Sequence, residues 1–212
     1  MGFLNILRSA RHPITRWMLL VVGAFIGLQF FFLAKIALMA RIAPESTTFE
    51  RSQAWQILQT KQRLPWRQTW VAYDKISEQL KRAVIVSEDD IFAQHDGVQW
   101  EAIEKAWAKN AKAELQASRQ APGKTAPKVV GGSTITQQLA KNLFLSPDRT
   151  LQRKLQEVVL AFWLEKHYSK DDILQLYLNR VYFGSGAYGI EQAAQRYFGK
   201  TARQFSLPES AM

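Results

Sequence analysis

From Trp17 to Ala34, eighteen consecutive residues carry no charge, and nearly all are apolar. A bilayer core takes about 20 such residues as helix, because backbone polar groups must be satisfied within the segment. Lys35 interrupts the run near one end, where its long stem can snorkel to the interface, and Ile36 to Ala40 continue it. The stretch is too long for a secretory leader and shows no clean small-x-small cleavage site. Residues 17–40 are therefore expected to form an uncleaved transmembrane anchor behind a basic tail, residues 1–16. Arg8, Arg11 and Arg16 precede the span, and no acid stands among the first forty residues. The positive-inside rule then puts the tail in the cytoplasm and residues 41–212 outside. Lys35 and Arg41 on the far side reduce that asymmetry. Gly23 and Gly27 make a GxxxG pair of the kind that packs membrane helices together.

The net charge is +10, and four of the basic groups lie in the first forty residues, so the remainder still carries +6. A basic domain tethered to a membrane suits anionic head groups or a phosphorylated lipid substrate. Nucleic acid is the rival partner for such charge; the anchor argues against it, and no nucleic-acid motif occurs. The absence of cysteine is compatible with an oxidising exterior.

Beyond the span, residues 41–73 read as a connector of mixed polarity with Trp55, Trp66 and Trp70. Residues 74–212 read as one mainly α domain. Ile76, Leu80 and Val84 step by four with Lys81 and Arg82 outside, and a second helix runs from about Val98 to Gln116. Residues 117–128 hold two prolines and a glycine and read as a mobile loop. Thr150 to Lys166 forms a long helix whose centre, Val158 to Leu164, is apolar on every side and is expected to be buried all round. Ser169 and Asp172 resemble a capping box for a helix over Ile173–Asn179. A glycine-punctuated turn over 182–189 precedes a helix from Ile190 to near Gly199, and Ser206 with Glu209 opens one more.

The chemistry concentrates in a few places. In Gly131-Gly132-Ser133-Thr134-Ile135-Thr136-Gln137-Gln138-Leu139-Ala140-Lys141-Asn142, two glycines permit close backbone approach and hydroxyl residues suited to an N-cap follow. Thr134, Gln138 and Lys141 share a polar stripe beside an apolar one of Ile135, Leu139 and Leu143. Free N–H groups at this helix start, backed by a lysine, would suit a phosphate; an ordinary capped amphipathic helix is the plainer alternative. Glu88 continues the Leu80–Val84 ladder to a helix end. There it is expected near the core side, with a raised pKa suited to a general base. The plainer alternative is that Glu88 or Asp90 merely caps. His95 reads as a structural histidine. Glu157 sits where a basic turn meets an apolar run, with Arg153 and Lys154 four and three residues before it, and reads equally as structural ion pair or catalytic group. Lys141, Arg149, Arg153 and Lys154 form either a solvated basic face or a diphosphate cradle.

Five segments, in order, carry a resemblance: Glu88-Asp-x-x-Phe92-x-x-His95-x-Gly97; Gly131 to Asn142; Arg153-Lys154-x-x-Glu157; Ile173-Leu-x-x-Tyr177-Leu178-Asn179-x-x-Tyr182-Phe183-Gly184-x-Gly186-Ala187-Tyr188-Gly189; and Ala194-x-x-Tyr197-Phe198-Gly199-Lys200. Over about residues 75–211 the chain resembles the peptidoglycan glycosyltransferases of family 51, and within them the short, anchored, monofunctional branch. The resemblance implies a lysozyme-like α fold on the outer face of a bacterial cytoplasmic membrane. It implies a lipid-linked growing glycan as donor and lipid II as acceptor. Glu88 would take the proton of the acceptor GlcNAc 4-hydroxyl, which attacks C1 of the donor MurNAc with inversion to a β-1,4 bond, releasing undecaprenyl diphosphate. Lys141, Arg149, Arg153 and Lys154 would receive the diphosphate, and Ser133, Thr134 and Gln137 would line the donor site. Glu157 would serve as orienter or second carboxylate. No His/Cys/Asp ligand set stands in the sequence, so no dedicated metal site is expected; a divalent cation, Mg or Mn, would ride on the substrate diphosphate. Cell-wall synthesis or division proteins are the implied protein partners.

Two departures stand out. The 117–128 loop is longer than the family's usual link, and the family domain would run on past Met212. A lysozyme-like hydrolase is the first rival, but it has no use for the cations from Lys141 to Lys154. A non-catalytic cell-wall scaffold is the second, and it gives no reason to place Glu88 beside these motifs. Neither Ser-x-x-Lys nor Lys-Thr-Gly occurs, so no transpeptidase is expected.

Overall fold

The structure, a computed structural model, describes residues 13–39, 46–61, 68–118, 131–146, 148 and 150–210. It divides into two units, Met1–Ala43 and Pro44–Met212. The described residues are mainly α and contain no strand beyond one isolated bridge.

In the first unit α1 spans Pro13–Met39. Proline opens it without loss, because the first helical N–H has no intrahelical partner. At 1.5 Å per residue its 27 residues extend about 40 Å, long and apolar enough to cross a membrane. Trp17, Phe25, Phe30 and Phe31 project outward, as a lipid-facing surface requires.

The second unit is built around α5, Ile135–Phe144. Its apolar stripe is buried as the spacing predicts: Ile135, Leu139 and Leu143 are all in the core. It packs against α6, Leu151–His167, and α7, Lys170–Arg180. Leu160, Ala161 and Leu164 of α6 meet Ile173, Leu174 and Leu178 of α7 in that core. The expectation that α6 is buried all round its centre is corrected. Phe162 is exposed, as are Leu151 and Leu155 nearer its start, because only one stripe of the helix has neighbours to cover it.

The segment read as a connector supplies α2, Thr48–Lys61, which packs on α5. Thr47 and Glu50 form a capping box at its start: Glu50 N–H donates to Thr47 Oγ1 at 3.0 Å, and Thr47 N–H donates to the Glu50 carboxylate. The Thr48 hydroxyl donates to Leu143 O at 2.9 Å. Further on, Gln68 Nε2 donates to both Glu50 Oε1 and Asn179 O at 2.8 Å, and Arg180 Nη1 donates to Gln68 Oε1 at 2.6 Å. Asn179 pairs with both backbone groups of Val71. Glu50 at the start of α2 and residues 68–71 are thus stitched to the end of α7 by a network of polar side chains.

Two more helices frame the site. α3, Glu78–Glu88, ends where Asp89 leaves helical geometry, and α4, Trp100–Ser118, follows. The expectation that Lys81 lies outside is corrected: it is buried, its ammonium 3.7 Å from the Tyr73 ring centroid and paired with Glu78. A lysine stem lies comfortably on an aromatic face when its charge keeps a partner. After α7, a tight turn brings Tyr182 against Tyr188, their rings 4.9 Å apart. α8, Ile190–Phe198, stops at the left-handed Gly199, and α9, Leu207–Ser210, packs back on α3. The 117–128 loop lies almost wholly outside the described residues, as do Trp66 and Arg149.

Candidate active site

The approach to α5 is where the sequence motifs meet. A Cβ at Gly132 would come 2.6 Å from Ala102 O, so only glycine lets this strand of chain pass α4 so closely. Thr134 then caps α5. Its side chain accepts from Gln137 N–H, and Gln137 Oε1 accepts from Thr134 N–H at 3.2 Å, a complete capping box. The Thr134 hydroxyl also donates to Gly97 O at 2.6 Å.

This geometry corrects two expectations. Thr134 and Gln137 do not line an open donor site; both are buried, with Gln137 at 0% exposure, and Thr134 Oγ1 and Gln137 Oε1 build the cap. The helix start is also not an open anion site. Ile135 N–H donates to Asp89 Oδ2 at 3.0 Å, so the anion at this N-terminus is the protein's own carboxylate.

Asp89 ties the first motif to the second. Both its oxygens lie within 3.0 Å of His95 Nε2. Gly97 N–H donates to His95 Nδ1 at 3.1 Å, so Nδ1 accepts and Nε2 carries the hydrogen that goes to Asp89. His95 is structural, as expected. Lys170 closes the back of the loop: its ammonium donates to His95 O at 2.6 Å and Glu165 Oε1 at 2.8 Å, and lies 4.5 Å from the Phe92 ring centroid. Thr136 Oγ1 joins the same Glu165 oxygen at 2.6 Å.

Glu88 is the last residue of α3. The expectation that it faces the core is corrected. Glu88 is exposed and the neighbouring Asp89 takes the buried place, because the chain leaves helical geometry at Asp89 and swings that side chain inward. Gln138 Nε2, from α5, donates to Glu88 Oε2 at 2.8 Å, and the Tyr177 hydroxyl of α7 donates to Gln138 Oε1 at 3.2 Å.

The second carboxylate has the opposite setting. Glu157 is buried, 2% exposed, one turn into α6. Arg153 Nη2 lies 3.3 Å from its Oε1 and Lys154 Nζ 3.0 Å from its Oε2. Lys154 also donates to Ser133 Oγ at 2.6 Å, joining this helix to the loop before α5. Lys141, half-buried on α5, has its ammonium 6.0 Å from the Phe49 ring centroid of α2. Ser133, Arg153, Lys154 and Glu157 are thus brought together at one end of α5. Glu88 is tied to the face of α5 that carries Gln138, one turn before Lys141. Sequence reasoning missed Gln138 as the partner of Glu88 and Tyr177 behind it; the spacing of Gln138 and Lys141 on one stripe was the available signal. Among the described residues, no cluster of three His, Cys, Asp or Glu side chains could hold a metal ion.

Comparison with known proteins agrees with the motif order. The family model described as Transglycosylase matches residues 53–212. A biosynthetic peptidoglycan transglycosylase of Burkholderia thailandensis is 43% identical over 208 residues, 96% of this chain and 77% of the relative. Proteins of the same name from Herminiimonas arsenicoxydans (43% over 196 residues, 92% of this chain and 80% of the relative) and Paraburkholderia xenovorans (41% over 208 residues, 96% and 82%) are similar over comparable spans.

Proposed function

The chain belongs to the transglycosylase family, and from that membership we propose how it polymerises peptidoglycan glycan strands. It is a peptidoglycan glycosyltransferase, with lipid II and the lipid-linked glycan as its substrates. Glu88 is the general base. Its carboxylate takes the proton of the acceptor GlcNAc 4-hydroxyl while that oxygen bonds to C1 of the donor MurNAc. The bond from C1 to the diphosphate oxygen breaks on the opposite face, which inverts the centre to a β-1,4 link. The electron pair leaves with undecaprenyl diphosphate.

The observation that carries this reading is the contrast between the two acids. Glu88 is exposed and meets one neutral donor, so it is accessible to a substrate hydroxyl. Glu157 is buried between two cations, which fits an orienter and not a proton carrier. It holds Arg153 and Lys154 in fixed positions, where, with Lys141 and Arg149, they meet charge developing on the leaving diphosphate. Ser133, bound to Lys154, belongs to that donor side. A divalent cation, Mg or Mn, would enter with the diphosphate as part of the substrate.

The test is polymerisation of purified lipid II by the full chain and its Glu88→Gln variant. Product should fall by at least about a hundredfold with lipid II binding retained. Wild-type turnover in the variant would remove Glu88 as base. Release of fragments from preformed glycan strands would favour hydrolysis instead.

The same reading places the catalytic unit on the outer side of the cytoplasmic membrane, with Arg8, Arg11 and Arg16 inside. The natural chain has no cysteine, so a single cysteine introduced at Ser206 reports its side cleanly. A membrane-impermeant thiol reagent should label it in intact spheroplasts; labelling only after lysis reverses the topology.

A further inference from the structure

Gln138 stands between two groups that claim opposite ends of its amide. A carboxylate only accepts hydrogen bonds, so the amide NH2 faces Glu88 and the carbonyl is left for the Tyr177 hydroxyl. Once Glu88 takes a proton it becomes a donor as well. An unrestrained amide would then turn over, present its carbonyl and favour the protonated acid. Tyr177 opposes that turn, because its O–H already occupies the carbonyl. It is well placed to do so: only 4% exposed, it is held in α7 two residues before the Asn179 that locks onto Val71. Burial first, then the charges of Glu88 and Asp89, push its phenol well above the usual tyrosine value, so it keeps its hydrogen.

We propose that Tyr177 is a positioning residue for glycan transfer: acting through Gln138, it holds the amide as a donor to Glu88 and keeps that carboxylate in its proton-accepting form. The inference rests on Glu88 being the base. Buried as it is, Tyr177 works on the amide and not on a sugar.

The test is a double-mutant cycle in lipid II polymerisation with the full, detergent-solubilised chain. Tyr177→Phe removes one oxygen and should lower kcat about tenfold, the worth of one net hydrogen bond, with KM for lipid II within about twofold. Gln138→Met should lower kcat at least as far. The double variant should be no slower than Gln138→Met alone, because the phenol has no other route to Glu88. Gln138→Asn, too short to reach Glu88, must repeat this coupling. An unchanged kcat in Tyr177→Phe overturns the proposal, as do penalties that multiply in the double variant. Glu88→Gln separates the two levels. If it remains active, the base assignment fails; if it is inactive while the penalties multiply, only the role of Tyr177 is lost.

Discussion

Glu88 and Glu157 approach the same helix, α5, from two sides and meet opposite surroundings. Glu88 ends its own helix, lies exposed and receives one hydrogen bond from a neutral amide. Glu157 is enclosed in α6 and paired with Arg153 and Lys154. The difference is one of freedom. A carboxylate with a single neutral partner is open to a further ligand. One flanked by two cations in a protein interior is held in place by both. The two acids, from α3 and α6, thus set an open carboxylate and an ion-paired one against the same helix.

The comparison can be broken at its strongest point first. Glu88→Gln should abolish polymerisation while changing unfolding free energy by less than about 0.5 kcal/mol, since the side chain is exposed. Glu157→Ala should do the reverse in emphasis. It leaves Arg153 and Lys154 facing each other without their carboxylate, and denaturant unfolding should report a loss of about 3 kcal/mol with weakened donor binding. If Glu88→Gln unfolds the protein and Glu157→Ala does not, the assignment of the two acids is inverted.

The smallest effect concerns a third acid, Glu50, in the latch that joins the start of α2 and residues 68–71 to α7. Burial raises its carboxyl above the usual glutamate value, against the lowering pull of its hydrogen bonds to Thr47 and Gln68 and of the Arg180 charge. The folded state then binds the proton more tightly than the unfolded chain. Its contribution is fully present below the unfolded pKa and is lost as pH rises through the folded one. Denaturant midpoints of the wild type should fall over that window, and Glu50→Gln should flatten the slope.

Much of this was legible in the residues. The apolar stripe of α5, the Ser169–Asp172 capping box and the Gly199 stop follow from local spacing, and local spacing is what a helix obeys. The Thr47–Glu50 box was equally readable, a Thr-x-x-Glu before a helix, although the mixed polarity of the segment reads as a connector. Glu88 illustrates the limit. A step of four from Leu80 and Val84 holds only while the helix lasts, and it ends at that residue, so the inward place passed to Asp89. Gln68 lies more than a hundred positions along the chain from its partners Asn179 and Arg180, a join that no periodicity reveals. Thr134 and Gln137 show a related limit: residue types suited to touching a substrate are the same types that cap a helix.

Asp89 has one more consequence. Its carboxylate grips both His95 and the first amide of α5, so the tip that bears Glu88 and the stem that bears Gln138 and Lys141 are clamped by bonds of about 3 Å. Such a clamp works as a fixed caliper: the spacing between the end of α3 and the start of α5 is set by the protein's own bonds.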